Sequence, residues 1–272
     1  MSLPARQAVA KPAKATAPAR PAATGGRWQD IAVRLVLPIV ILLAWSIASV
    51  SAPSIASVLP SPLEVASALW AQAISGQLAA HIGASLGRAA VGFLIAAVLG
   101  TAIGLAMSQS RIVRELLSGP VELLRPISSI AWIPLAILWF GIGYRSVVFV
   151  IVISCIFIIV LNTLAAAMNV ERDLVKSALT LGANRRQIFT KVVVPSAMPG
   201  IMLGLRVAMT GAWGGVLIAE MIATQQGLGY MIVRAQASFQ PALVIGGMLV
   251  VGIVGYLLNM LFLVAQRRIT HA

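Results

Sequence analysis

The sequence predicts an all-α polytopic membrane protein, and three observations predict it. Hydrophobic residues make up 60% of the 272 residues and charged residues only 10%, with a mean hydropathy of +0.97; a soluble chain of this length needs far more charge to wet its surface. Several runs reach the roughly 20 apolar residues that cross a hydrocarbon core of about 30 Å. No run shows the apolar/polar alternation over about ten positions that a membrane β-barrel strand requires.

The elements follow in chain order. Residues 1–27 are rich in Ala, Pro, Lys and Arg and cannot bury enough apolar surface to offset ordering entropy, which predicts a disordered basic tail. Arg6, Lys11, Lys14, Arg20 and Arg27, with Arg34 at the helix start, hold that tail in the cytoplasm. It is not a secretory signal, because the first hydrophobic run starts near Ile31 and is long. Residues 28–272 then form one transmembrane domain. Its first span is roughly 31–50, with Pro38 tolerated inside it. Ser61 followed by Pro62 reads as a helix N-cap and first helical residue. Leu63, Ala66, Leu69 (or Trp70) and Ala73 recur at helical spacing and predict a short amphipathic helix along the outer interface.

The second span is about 83–107. A break at SQSRIVRE leads into the third, about 119–140, and a GIGYRS turn into the fourth, about 146–168. A polar segment, Glu171 to Lys191, precedes the fifth, about 195–222. A Gly-rich turn, QQGLGY, and a polar stretch precede the sixth, about 242–265. The positive-inside rule supports six spans with both termini cytoplasmic. The inner segments then hold Arg111, Arg114, Arg172, Lys176, Arg185, Arg186, Lys191, Arg267 and Arg268, and the outer ones only Arg145 and Arg234. No repeat of 20–50 residues stands out. Small-xxx-small pairs at Gly83/Gly87, Gly100/Gly104, Gly200/Gly204 and Gly211/Gly215 predict close helix approach.

Most chemistry is excluded by what the residues lack. The net charge of +13 sits largely in the tail and the polar breaks, where orientation signals belong, so it does not indicate nucleic acid. Gly83-Ala84-Ser85-Leu86-Gly87 matches G-x-S-x-G, but that chemistry needs a strand–turn–helix and a His positioned by an acid. Here the pattern opens a membrane helix, and the only histidines are His81 and His271; Ser85 with His81 is kept as a hydrolase rival to plain helix packing. Two histidines, one cysteine and seven scattered acids make no metal site. Cys155, inside VFVIVISCIFIIV, reads as an inert packing residue. The chain has no Gly-Lys pair and hence no phosphate-binding loop, so any nucleotide belongs to another chain.

Charges at membrane depth remain. Each costs a few kcal/mol at the bilayer centre unless it faces a cavity or a partner. Arg206 and Glu220 share the fifth span fourteen residues apart, roughly 21 Å along a helix, so they do not pair with each other. Glu220 reads as near the outer end, Arg206 as a turn or two from the inner end, and each as either an interhelix partner or a pathway residue. Trp213 lies between them. Arg88 lies about a turn into the second span, and Glu122 with Arg125 reads as an interfacial ion pair.

The segment Glu171–Lys191 is longer than a membrane protein needs to turn round. Leu174, Val175, Ala178, Leu181 and Gly182 gather on one helical face, and Lys176, Thr180 and Ala183 on the other. Gly182 suits a bend or a close backbone approach; Pro195 blocks helix continuation from the loop, and Pro199 lies in the first turn of the fifth span. The pattern predicts a short helix, a bend and a second short helix parallel to the membrane. A plain connecting loop carrying orientation charge fits these residues as well.

The pattern A-x-x-x-G followed by V-x-x-P-x-A-x-P-x-I, here Ala178, Gly182, Val192, Pro195, Ala197, Pro199 and Ile201, resembles the coupling loop of ABC importer permeases. Lys176-Ser177-Ala178 stands where that family has Glu-Ala-Ala. RPISSIAWIPLAILWFGIG (125–143) and GLRVAMTGAWGGVLIAEMIATQQGLGY (204–230) are similar to the subfamily importing nitrate, sulfonates, taurine or bicarbonate, and AWIPLAILWFGIG with QRRIT is most similar to taurine-type members. The resemblance covers roughly residues 30–268. It implies the type I importer permease architecture and a multi-pass protein of the bacterial inner membrane. Its implied partners are a second permease copy, two ABC ATPase subunits that bind the ATP, a periplasmic solute-binding protein and membrane lipid; the permease holds no cofactor and catalyses no covalent step. It implies an ATPase-coupling loop over about 171–191, with Glu171, Leu174, Lys176, Ser177, Ala178, Leu181, Gly182, Arg185, Arg186 and Pro195, and the translocation of a small anion. The depth of the charges, not the resemblance, makes Arg206 and Glu220, and Trp213 between them, the candidates for its path, Arg206 being the residue that would attract the anion. The rival from another class is a secondary transporter without ATPase partners.

Overall fold

The computed structural model describes residues 27–51 and 58–270, with side chains described for 36–51 and 58–266; the predicted tail and the side chains of Arg34, Arg267 and Arg268 lie outside them. One unit ends at Ile47 and the other runs from Ala48. Helix α1, Arg27–Ser51, carries Pro38 within it and matches the first predicted span.

The first helix wholly within the second unit is α2, Pro62–Ile74. Ser61 caps it as expected: its Oγ accepts from the Glu64 N–H, and the Glu64 carboxylate accepts from the Ser61 N–H at 2.7 Å, a reciprocal capping box. The predicted apolar face is corrected. Val65 is buried and Leu69 half-buried, whereas Leu63 and Trp70 are exposed, because α2 packs on the last helix, where Leu69 fills the space beside Gly246.

Helix α3, Gln77–Gln109, extends the second predicted span at both ends. The break after it is itself helical: Ser110 caps α4, Arg111–Leu124, which buries Val121 against Met107 and Val160. The predicted third span is not continuous. α4 and the segment Ser129–Phe140, a 3₁₀ turn followed by α5 (Ile133–Phe140), meet at a bend of 94°. Pro126 supplies no N–H to continue the ladder, and in a continued helix its ring would crowd the Glu122 carbonyl. No ion pair joins Glu122 and Arg125 among the described residues; both point outward at the bend.

Helix α6, Tyr144–Met168, is the central post. Small residues of α3 lie against one side of it: a Cβ at Gly92, Gly100 or Gly104 would meet Ile151, Ile159 or Thr163. Small residues of α9, Val194–Ala223, lie against the other, with Gly200 on Ala166, Gly204 on Asn162 and Gly215 on Ser154. Without a hydrophobic force between helices in lipid, such close approach is what holds them. Cys155 is buried here as a packing residue, its thiol on the Ala208 carbonyl at 3.4 Å. Gly83 and Gly87 do not share this role, since a Cβ added at either would meet nothing within 4 Å.

Between α6 and α9 stand α7 (Arg172–Thr180) and α8 (Arg185–Ile188). The second short helix is not separate from the fifth span, as predicted, but runs into α9 through a π turn, Phe189–Val193. The Val194 N–H reaches the Phe189 carbonyl five residues back, and this widened turn accommodates the N–H that Pro195 lacks. The polar stretch before the last helix is also helical, as α10, Leu228–Ala237, ahead of α11, Pro241–Thr270. Among the described residues four helices are long and apolar enough to cross a membrane, or five if the bent pair counts as one span.

Candidate functional site

Three polar features among the described residues hold the candidate site residues singled out from the sequence, and they differ in how their groups are satisfied. The first joins α3, the end of α9 and the turn into α10. Glu220 is wholly buried. Its carboxylate accepts from Arg88 Nη1 at 2.6 Å, from Ser85 Oγ at 2.7 Å and from the Gly229 N–H at 3.2 Å. Arg88 Nη1 also donates to the Gln226 carbonyl at 2.6 Å and Nη2 to Thr224 Oγ1 at 3.2 Å, while its buried Nε has no partner. Ser85 Oγ accepts from the Leu228 N–H at 2.9 Å, and His81 Nδ1 from the Gly227 N–H at 3.1 Å. Gly227 sits at φ +126°, and a Cβ there would fall onto the Glu220 carboxylate.

This arrangement disposes of the hydrolase rival. The Ser85 hydroxyl is fully buried, and its bonds go to Glu220 and Leu228 rather than to His81. Arg88, Thr224, Gln226 and Gly229 complete the cluster; Arg88 stood out in the sequence as a charge at membrane depth, but its pairing with Glu220 and the parts of the other three were missed. The available signal was one acid and one cation left over in otherwise apolar spans.

The second feature is a recess of about 280 Å³ between α9 and α11, lined by Arg206, Met209, Thr210, Trp213, Gly255, Leu258, Asn259 and Phe262. Arg206 Nε donates to Asn259 Oδ1 at 3.3 Å, and no ion pair reaches it among the described residues. The Trp213 indole donates to the Val251 carbonyl at 3.1 Å. It lies flush against Gly255, where a Cβ would come within 2.8 Å of Nε1. The structure therefore places Arg206 and Trp213 together and Glu220 apart from them.

The third is the polar segment. Glu171 precedes α7 without a side-chain cap bond. Lys176 pairs with Asp173 at 3.1 Å, both largely exposed. Gly182, at φ +79°, ends the helix: its N–H reaches the Leu179 carbonyl at 2.9 Å, the Ala183 N–H the Ala178 carbonyl at 3.0 Å, and the Leu181 N–H the Ser177 carbonyl at 3.1 Å. This is a Schellman stop, which needs a residue tolerant of positive φ. It leaves Leu181 87% exposed, with Leu174 and Leu179 about half so, while Val175 and Ala178 turn inward. Asn184 then caps α8 in a capping box with Gln187, presenting Arg185 and Arg186 outward, and Pro195 sits in the first turn of α9.

The chain that carries these features is similar to known proteins. Residues 92–272 match the family model described as binding-protein-dependent transport system inner membrane component. A putative ABC transporter permease protein of Methanocaldococcus jannaschii is 39% identical over 186 residues, 68% of this chain and 70% of that one. A putative aliphatic sulfonates transport permease protein of Bacillus subtilis is 32% identical over 235 residues, 86% of this chain and 85% of that one. Among solved structures, the MetNI methionine ABC transporter in inward-facing conformations superposes with a TM-score of 0.65 at 18% identity, covering 73% of this chain and 99% of that one, which establishes a shared fold.

Proposed function

The chain belongs to the family of binding-protein-dependent transport system inner membrane components, and from that premise we propose how this member works. It is a multi-pass inner-membrane permease subunit of an ABC importer, a transport subunit rather than an enzyme, and its family works with an ATPase and a solute-binding protein. A secondary transporter finds no support among these relatives.

We infer that two copies of the chain form the membrane unit and that Glu171–Lys191 is the element docked on the ATPase. The carrying observation is the Schellman stop at Gly182, which holds Leu181 and its neighbours clear of the bundle in a polar segment. An exposed leucine row outside the lipid is a protein contact in the making. The positive charges of the segment favour the cytoplasmic side, where ATP binds to the partner ATPase and this chain holds no cofactor. Because α8 continues through the π turn into α9, a push on the docked segment is delivered along the helix that bears Arg206 and Trp213. The coupling needs contacts that differ between the ATPase's nucleotide states. Apolar side chains left outside the bundle, such as Leu94, Val98 and Leu257, face lipid.

The solute is a small anion, a sulfonate such as taurine, or nitrate. The sulfonate-permease relative and the uncompensated cation at Arg206 support this. The test is purification of the membrane complex with its ATPase from cells expressing Leu181→Asp. The expected result is loss of the copurifying ATPase with normal permease yield; full retention would sink the docking assignment.

A further inference from the structure

We infer that the recess around Arg206 is an anion site within the translocation path, taking a small oxyanion on the guanidinium and its alkyl part on the aromatic wall. The inference rests on the reading of this chain as the permease of an anion importer.

The argument is one of charge. Arg206 lies about 18 Å along α9 from Val194, well inside a helix about 45 Å long, where an unpaired cation costs several kcal/mol. Its one protein acceptor among the described residues is the neutral amide of Asn259. No acid of the same copy pairs with it among the described residues. The seven acids are Asp30, Glu64, Glu115, Glu122, Glu171, Asp173 and Glu220. Asp30 stands in the first turn of α1. Only Glu220 lies deep within a long membrane helix, and Arg88 and Ser85 already hold it. The missing negative charge is accordingly assigned to the solute.

The geometry suits an oxyanion. With Nε engaged by Asn259, the two Nη groups remain as a planar fork, the shape that binds carboxylate- or sulfonate-like oxygens in pairs. Thr210, one turn further on, adds a hydroxyl, and Trp213, Leu258 and Phe262 form an apolar wall. At about 280 Å³ the recess falls just under the usual range for drug-sized ligands, which fits a solute of a few heavy atoms. A site on a path must also release what it binds, and a lone fork without a second cation does so.

The test uses the whole complex, permease with ATPase and solute-binding protein, in vesicles of neutral phosphatidylcholine. Nitrate quenching of tryptophan fluorescence reports binding, with Trp213→Phe identifying the signal from the recess. The expected result is a saturable component from Trp213 that weakens about ten- to hundredfold in Arg206→Gln and less in Arg206→Lys. Thr210→Val, which leaves the charge in place, should weaken it only a few-fold. ATP-driven uptake of taurine and nitrate should fall in the same order. If the wild-type complex imports either anion and Arg206→Gln does so at the same rate, the site is overturned and the anion-importer reading stands. If nitrate binds through Arg206 but neither anion is imported, the site stands and that reading fails. Absence of a saturable component overturns the site. So does a component that appears only when anionic lipid is added, because the counter-charge is then a lipid headgroup.

Discussion

Helix α9 carries two charges of opposite sign, and the protein treats them in opposite ways. Glu220 is enclosed by Arg88, Ser85 and the Gly229 N–H; Arg206, fourteen residues earlier, has one bond to a neutral amide and opens on a recess. A buried charge with its partners in place ties elements together. Here Glu220 pins the turn between α9 and α10 onto α3. A charge left short of partners, as Arg206 is, is the one we assign to a species that arrives from outside. Both are charges on one membrane helix; what separates them is how far their partners are supplied.

The sharpest way to break the comparison is to remove Glu220. Glu220→Ala leaves Arg88 buried without its counter-ion and should cost about 3–5 kcal/mol, read as a large fall in the thermal midpoint of the purified protein. Replacing both partners, Arg88→Met with Glu220→Leu, should recover much of that loss, since an apolar pair needs no desolvation. A midpoint for Glu220→Ala like that of wild type would mean the cluster ties nothing. Gly227→Ala attacks the same place through the backbone. The residue sits at φ +126° with the Glu220 carboxylate where its Cβ would go, so a loss of about 1–3 kcal/mol is expected, measured by the same melt. Substitution of Arg206 should leave the midpoint unchanged or slightly raised.

Much of the fold was legible because apolar runs mark spans regardless of partners. Ser61-Pro62 marked the start of α2 for a local reason, the cap, and Gly182 marked the end of α7 for another. What was not legible depended on residues distant in sequence. Glu220 meets Arg88 across 132 positions, and no local spacing shows that, although both stood out as charges in apolar runs. The 94° bend between α4 and α5 did have a local signal, Pro126, but hydropathy averaged over it. Pro195 misled in the other direction. A proline ends a regular α-helix, yet the π turn of Phe189–Val193 lets this one continue. The burial of Val65 rather than Leu63 on α2 reflects where α11 lies, which α2 alone does not encode.

The exposed segment is a third treatment of polar groups, in which none of them is buried and little stability is at stake. Leu181→Asp places a charge on a side chain that is 87% exposed, so the melt should move by less than about 0.5 kcal/mol while copurifying ATPase is lost. A melt shift as large as that of Gly227→Ala would show Leu181 to be a packing residue.

Lys176→Glu gives the smallest expected change in stability, and for that reason the cleanest reading of the partner. The Lys176–Asp173 pair is exposed on both sides, and surface pairs of this kind contribute between nothing and about 1 kcal/mol. The reversal also sets a like charge three residues from Asp173, which costs only about 0.2–0.5 kcal/mol on an exposed face. The melt should therefore stay within about 0.5 kcal/mol of wild type. With folding held constant, any change in the amount of bound ATPase, and in its dependence on salt, reports the charge that faces position 176 across the interface. Tighter binding of the Lys176→Glu protein that weakens with salt would place a cation there. Weaker binding would show that the ATPase carries an acid matched to this lysine, and binding insensitive to both would leave Leu174, Leu179 and Leu181 as the whole of the contact.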